Sequence, residues 1–224
     1  MNDTARMVGL LRRLRTETNG AVVEAMEQRG VHYPLSYGVA AHTIKKIAGE
    51  YGTDHSLALL LFSQQVRELK LAALYIADPA RLSAGIMEQW THGMTPELAD
   101  HAAAVLFCRV DHVTETALEW TGGDDRELQS MALLMLGRAA TGPDSRTLPD
   151  SALETIGRRA VALVAKTPDD MRLSQAATFF LARLARRGEA QRDLARALAG
   201  TLEETPGAGP EHLRSEIGWQ TEYL

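Results

Sequence analysis

Apolar residues recur at three- and four-residue spacing along nearly the whole chain, as in Val8, Leu11 and Leu14 or Leu57, Leu60 and Leu61, with no sustained strand-like alternation. That pattern restricts the chain to helices. Turn signals cut it at short intervals: Asn19-Gly20, Gly30 with Pro34, Gly52-Thr53-Asp54, Asp78-Pro79, Gly93 to Pro96, Gly122-Gly123-Asp124, Thr141-Gly142-Pro143, Thr167-Pro168-Asp169, Gly188, and Pro206 to Pro210. Several cuts carry a start signal. Asp54, Asp124 and Asp169 are placed to accept the free amides of a helix N-terminus, and Pro79 and Pro96 suit a first turn.

Helices this short, joined by connections of a few residues, must lie antiparallel, and a long succession of them hides its apolar stripes most simply by stacking pair on pair. The expected fold is all-α: an α-α superhelix of HEAT-like, armadillo-type repeats, with about six antiparallel helix pairs forming a concave face that carries function. No strict period is visible, which excludes ankyrin and tetratricopeptide arrays and leaves a compact irregular bundle as the alternative. The 224 residues fit one domain, with the acidic segment 203–224 as a C-terminal cap ending in Ile217, Trp219, Tyr223 and Leu224.

Composition narrows function mainly by exclusion. At 45% apolar and 24% charged residues the chain is ordinary globular material. Its longest apolar stretches, such as Leu57–Phe62, fall far short of a membrane span, and the polar N-terminus has no signal-peptide core, so a cytoplasmic location is expected. The lone Cys108 reads as core. No Gly-rich phosphate loop, HExxH, GxSxG or Cys/His cluster is present, and the seven histidines are scattered, so neither a metal nor a cofactor is expected.

The net charge of −5 hides a polarised distribution. Residues 51–157 carry seven basic against fifteen acidic groups, whereas residues 158–196 carry nine against four. Within the basic stretch, Arg183 with Arg186 or Arg187 forms a stripe on one helix, and Phe179 lies one turn before it. An aromatic beside an arginine ladder suits a nucleic-acid backbone. It equally suits a solvated helix face paired with Glu189 and Asp193.

Two segments carry a resemblance. The first runs from Met26 to Val39 through Tyr37-Gly38-Val39 and enters a helix bearing Lys45 and Lys46. The second, Gln65-Val66-Arg67-Glu68-Leu69-Lys70, opens a helix with an Arg-Glu pair. In this order they resemble the start of the DNA alkylation repair family, the alkylpurine DNA glycosylases built from HEAT-like repeats. The resemblance extends more weakly through most of the chain, taking in Trp90 and the Gln129 helix after Gly122-Gly123.

The resemblance implies a monomeric DNA repair protein that binds alkylated double-stranded DNA on a concave basic face, with Lys45, Lys46, Phe179, Arg183, Arg186 and Arg187 as DNA contacts. Active members hydrolyse the N-glycosidic bond of N3- or N7-alkylpurines. Such a base is already cationic and leaves easily, so an anion near the deoxyribose and aromatic faces for the cationic nucleotide suffice. The family's catalytic Asp falls on Asp100. Its first Trp falls on Pro96, its second on Phe179 or Phe180, and its Arg on Ser130, with Arg126 and Arg138 nearby on other faces.

Those departures keep other readings open: Asp100 as a first-turn carboxylate favoured by the helix dipole, and Phe179 as core. A non-catalytic DNA-structure binder and a helical scaffold for a protein partner are the alternatives to a glycosylase.

Overall fold

A computed structural model describes residues 2–143 and 145–222. Among them are thirteen α-helices: α1 (Asp3–Arg15), α2 (Gly20–Gln28), α3 (Ala41–Gly49), α4 (His55–Phe62), α5 (Arg67–Ile76), α6 (Ala84–Thr91), α7 (Pro96–Val105), α8 (Val113–Gly122), α9 (Arg126–Ala139), α10 (Asp150–Lys166), α11 (Met171–Ala185), α12 (Glu189–Gly200) and α13 (Ala208–Glu222). No strand forms among the described residues beyond one bridge, Leu35 to Val66.

Short polar side chains set many of the helix starts. Asn2, Asp54, Ser83 and Thr95 each accept an amide of the first turn, and Pro96 follows Thr95 at the first helical position. Two caps differ from the sequence expectation by one residue: Asp125 caps α9 and Asp170 caps α11, rather than Asp124 and Asp169. Both sit in Asp-Asp doublets, where the one that lies three residues before the accepted amide, of Leu128 or Leu173, makes the bond. Pro79 opens a short 3-10 turn, Pro79–Arg81, instead of an α-helix. Helix α1 places Asp3 in its first turn and Arg12, Arg13 and Arg15 near its end, in accord with its dipole.

The chain divides into two compact units, Met1–Leu106 and Phe107–Leu224. In the first, α5 packs against α3, α4 and α7, and α1 packs against α3 and α4. Leu10, Leu14, Ile44, Leu57, Leu61 and Leu74 bury themselves there, each contributing about 1.5–3 kcal/mol of transfer free energy. In the second unit α9, α11 and α13 pack in succession, as do α8, α10 and α12. That two-layer alternation of successive helix pairs is what a repeat stack requires.

Helix α13 covers α11 and α12 with Leu213 and Ile217 buried. Trp219, expected to join them, is 62% exposed, and Tyr223 and Leu224 lie outside the described residues. Cys108 is half-buried rather than core. It sits in a 3-10 turn beside the fully buried Phe107, and burial pushes its thiol pKa up.

The motif around Tyr37-Gly38-Val39 has a physical basis in the first unit. Glu68, fully buried at the start of α5, accepts the amides of Tyr37 and Val39 at 3.2 and 3.3 Å and the Ser36 hydroxyl at 3.3 Å. Arg67 donates to Glu68 at 3.1 Å and to the Val39 carbonyl at 2.9 Å. Gly38 has φ +68°, and a Cβ there would lie 2.1 Å from the Asn19 carbonyl oxygen. The Arg-Glu pair therefore ties an irregular segment to the helix that follows it.

Candidate nucleic-acid interface

In the second unit, α9 and α11 approach closely because Gly137 has no side chain. A Cβ there would lie 2.8 Å from the Phe179 ring and 3.3 Å from the Phe180 Cα. Of the adjacent phenylalanines, Phe180 is fully buried and Phe179 is half-buried at the surface. The ring of Phe179 carries two guanidinium groups: the Arg138 carbon is 4.6 Å from its centroid and the Arg183 carbon 5.0 Å.

This cluster is electrostatically uncompensated. Burial lowers the Arg183 pKa first, and the positive charges of Arg186 and Arg138 lower it further. Among the described residues no carboxylate pairs with Arg138, Arg183 or Arg186, and Asp193 pairs with Arg196 instead. Each cation–π contact supplies only about 0.5–1 kcal/mol, so the ring holds the cations without neutralising them. An anion fits such a place.

Arg187 belongs elsewhere. It is half-buried and donates to the carbonyls of Ser145 at 2.6 Å and Ala140 at 3.4 Å, and to Asp150 at 3.3 Å. Its fork is committed to the connection between α9 and α10, which removes it from the expected contact set. The adjacent Arg186 is exposed and remains on the Arg183 side.

Ser130, where the resemblance leads one to expect an Arg, is buried on α9 beside Gln129, whose amide donates to the Gly123 carbonyl at 2.6 Å. Arg126 is exposed and paired with Asp170 at 3.4 Å. Arg138, two turns beyond Ser130, is the guanidinium that α9 presents. The glycine directly before it was the available signal, because a Gly inside an apolar helix marks a close approach.

The remaining expected residues lie in the first unit. Lys45 and Lys46 are exposed on α3, and Lys46 lines a groove of about 680 Å³ with Arg12, Arg13 and His42. There Arg13 grips Glu50 through two bonds of 2.6 and 2.7 Å, holding that carboxyl low.

Asp100 is exposed in the second turn of α7, and its carboxylate makes no hydrogen bond or ion pair among the described residues. The first-turn carboxylate is Glu97 instead. It receives the Arg67 Nε at 2.9 Å, a second bond from Arg67 Nη2, and the Tyr33 hydroxyl at 2.9 Å. Burial pushes Glu97 up, but Arg67 outweighs it and holds the carboxyl below its usual value. Burial pushes the Tyr33 hydroxyl well up. Asp100 thus rides on a helix whose first turn is held by the ion pair of the half-buried Glu97 with the buried Arg67.

Among the described residues no group of three or more His, Cys, Asp or Glu is arranged to hold a metal ion, and no helix is long and apolar enough to cross a membrane.

Residues 10–166 match the family described as DNA alkylation repair enzyme. The match takes in Lys45, Lys46, Asp100 and Arg138 and stops before Phe179 and Arg183. A solved structure from a family of proteins related to the HEAT-like repeat DNA glycosylases, with affinity for branched DNA structures, superposes with a TM-score of 0.76 at 18% identity. That likeness covers 95% of this chain and 94% of the other, and fixes the fold as a HEAT-like helical repeat. No curated protein matches the sequence.

Proposed function

The chain belongs to the DNA alkylation repair enzyme family, and on that premise we propose that it is a DNA-binding repair protein that recognises DNA structure through its phosphate backbone. The carrying observation is the uncompensated cluster of Arg138, Arg183 and Arg186 around Phe179. Phosphates supply the missing negative charge, and the ring keeps both guanidinium groups in place before the DNA arrives. Lys45 and Lys46 add exposed positive charge in the first unit. The affinity of the structural relative for branched DNA supports a junction as the preferred ligand over a linear duplex.

The test is a binding titration of a four-way junction and a linear duplex of equal length at several salt concentrations. Affinity for the junction that falls steeply with salt supports the reading. Absence of binding at low salt overturns it.

Asp100 favours a second reading, excision of alkylated purines from duplex DNA. It is an exposed carboxylate without a partner, free to face a cationic sugar in the transition state. Pro96 and the buried Ser130 stand against it, since neither supplies the aromatic face or the guanidinium that active relatives place there.

A further inference from the structure

Lysine is scarce in this chain: twenty of its 24 basic residues are arginines and four are lysines. Lys45, Lys46 and Lys166 stand exposed. Lys70 is half-buried on α5, on the wall of a cavity of about 780 Å³ within the first unit that Tyr33, Phe62, Trp90 and Met94 also line. Its Nζ donates to the Phe62 carbonyl at 2.8 Å and lies 4.5 Å from the centroid of the Phe62 ring. That ring is stacked in turn on Trp90, with centroids 4.0 Å apart and planes 8° from parallel.

One carbonyl and one aromatic face compensate an ammonium only in part. No carboxylate among the described residues pairs with it, and burial alone pushes the amine below its usual pKa. For holding a helix-terminal carbonyl an arginine would serve with a charge that never leaves. A lysine, unlike an arginine, can give up its proton, and the neutral amine is a nucleophile toward carbonyl carbon.

We propose that Lys70 is a nucleophilic amine that captures the aldehyde of an open-chain deoxyribose, as at an abasic DNA site, within this cavity. The proposal rests on the DNA-binding reading above. The Nζ lone pair attacks the sugar C1′, the carbonyl oxygen takes up two protons and leaves as water, and a protonated imine joins Nζ to C1′. Loss of a C2′ proton to water then expels the 3′ phosphate. The C3′–O bond breaks with its electron pair going to phosphate, and a C2′–C3′ double bond forms. Hydrolysis of the imine consumes one water and restores the amine.

The test incubates the full chain with an end-labelled duplex containing one abasic site, in the presence of sodium borohydride, which reduces the imine to a stable secondary amine. The expected result is a covalent adduct that maps to Lys70 by peptide mass spectrometry. It is lost in Lys70→Arg, which keeps the charge and the contact with the Phe62 carbonyl and ring, and whose circular dichroism matches wild type. An adduct that persists in Lys70→Arg, or DNA that binds without forming one, overturns the proposal. A second probe, 2-deoxyribose 5-phosphate with cyanoborohydride, needs no DNA interface. Equal labelling of all four lysines by it overturns the proposal whatever the DNA does. Selective labelling of Lys70 supports it, and an absence of DNA binding beside that labelling counts against the DNA-binding reading alone.

Discussion

Arg138 of α9 and Arg183 of α11 share one phenyl ring, that of Phe179, at 4.6 and 5.0 Å from its centroid. Two like charges held on one apolar support repel each other. The folded chain carries that repulsion because α9 and α11 are locked together by the packing around Gly137 and Phe180.

The ring should therefore matter through its quadrupole as well as its bulk. Phe179→Leu keeps an apolar side chain but removes two cation–π contacts of about 0.5–1 kcal/mol each. We expect roughly a twofold to tenfold loss of DNA affinity and a melting temperature lower by a few degrees. A fluorescence-anisotropy titration beside a thermal melt checks both.

Gly137→Ala tests the close approach directly. The added methyl would lie 2.8 Å from the Phe179 ring, so the ring must move or the helices must part. Overpacking of this kind costs about 1–3 kcal/mol. Denaturant unfolding should show a lower midpoint, and DNA affinity should drop with it as Arg138 and Arg183 lose their common support.

Arg67 and Glu97 give a pH prediction. Arg67→Met leaves the buried Glu68 and the half-buried Glu97 without their cation and should destabilise the fold by about 3–5 kcal/mol. Glu97 has a folded pKa below its ordinary 4.5, so between those values the unfolded chain binds more protons than the folded one. Its stabilisation is fully present above about pH 4.5 and is lost as the pH falls through the folded value. Melting temperatures measured from neutral pH into the acid range should fall on that limb, and Glu97→Gln should flatten it.

Much of the fold was legible because each helix carries its own boundary chemistry. Asp54, Thr95 with Pro96, and the Gly122-Gly123 stop act within a few residues, and local signals survive in a sequence. The site was legible only in part, because its chemistry depends on which helices face each other. Phe179 and Phe180 are equivalent by composition, and only packing against α9 sends Phe180 inward and leaves Phe179 at the surface. Arg186 and Arg187 are likewise adjacent, yet Arg187 is drawn to carbonyls some forty residues earlier in the chain. Glu97 and Asp100 lie within one turn, and the partner that separates their roles, Arg67, comes from another helix.

Asp100→Asn separates the two readings of the first unit. The carboxylate is exposed and without a partner, so the variant should melt within about 1 °C of wild type and bind DNA equally well. If the protein excises alkylated purines, release of methylated base from duplex DNA should be abolished. Equal release by the variant would exclude Asp100 from the chemistry.

The central claim is that the cluster on Phe179 binds DNA phosphates. Its most direct test is the affinity of wild type and of Arg138→Gln/Arg183→Gln for a four-way junction across a range of salt concentrations. The account predicts weaker binding by the double variant and a salt slope shallower by about two, one for each phosphate contact removed. Unchanged affinity and slope in a folded double variant would contradict it.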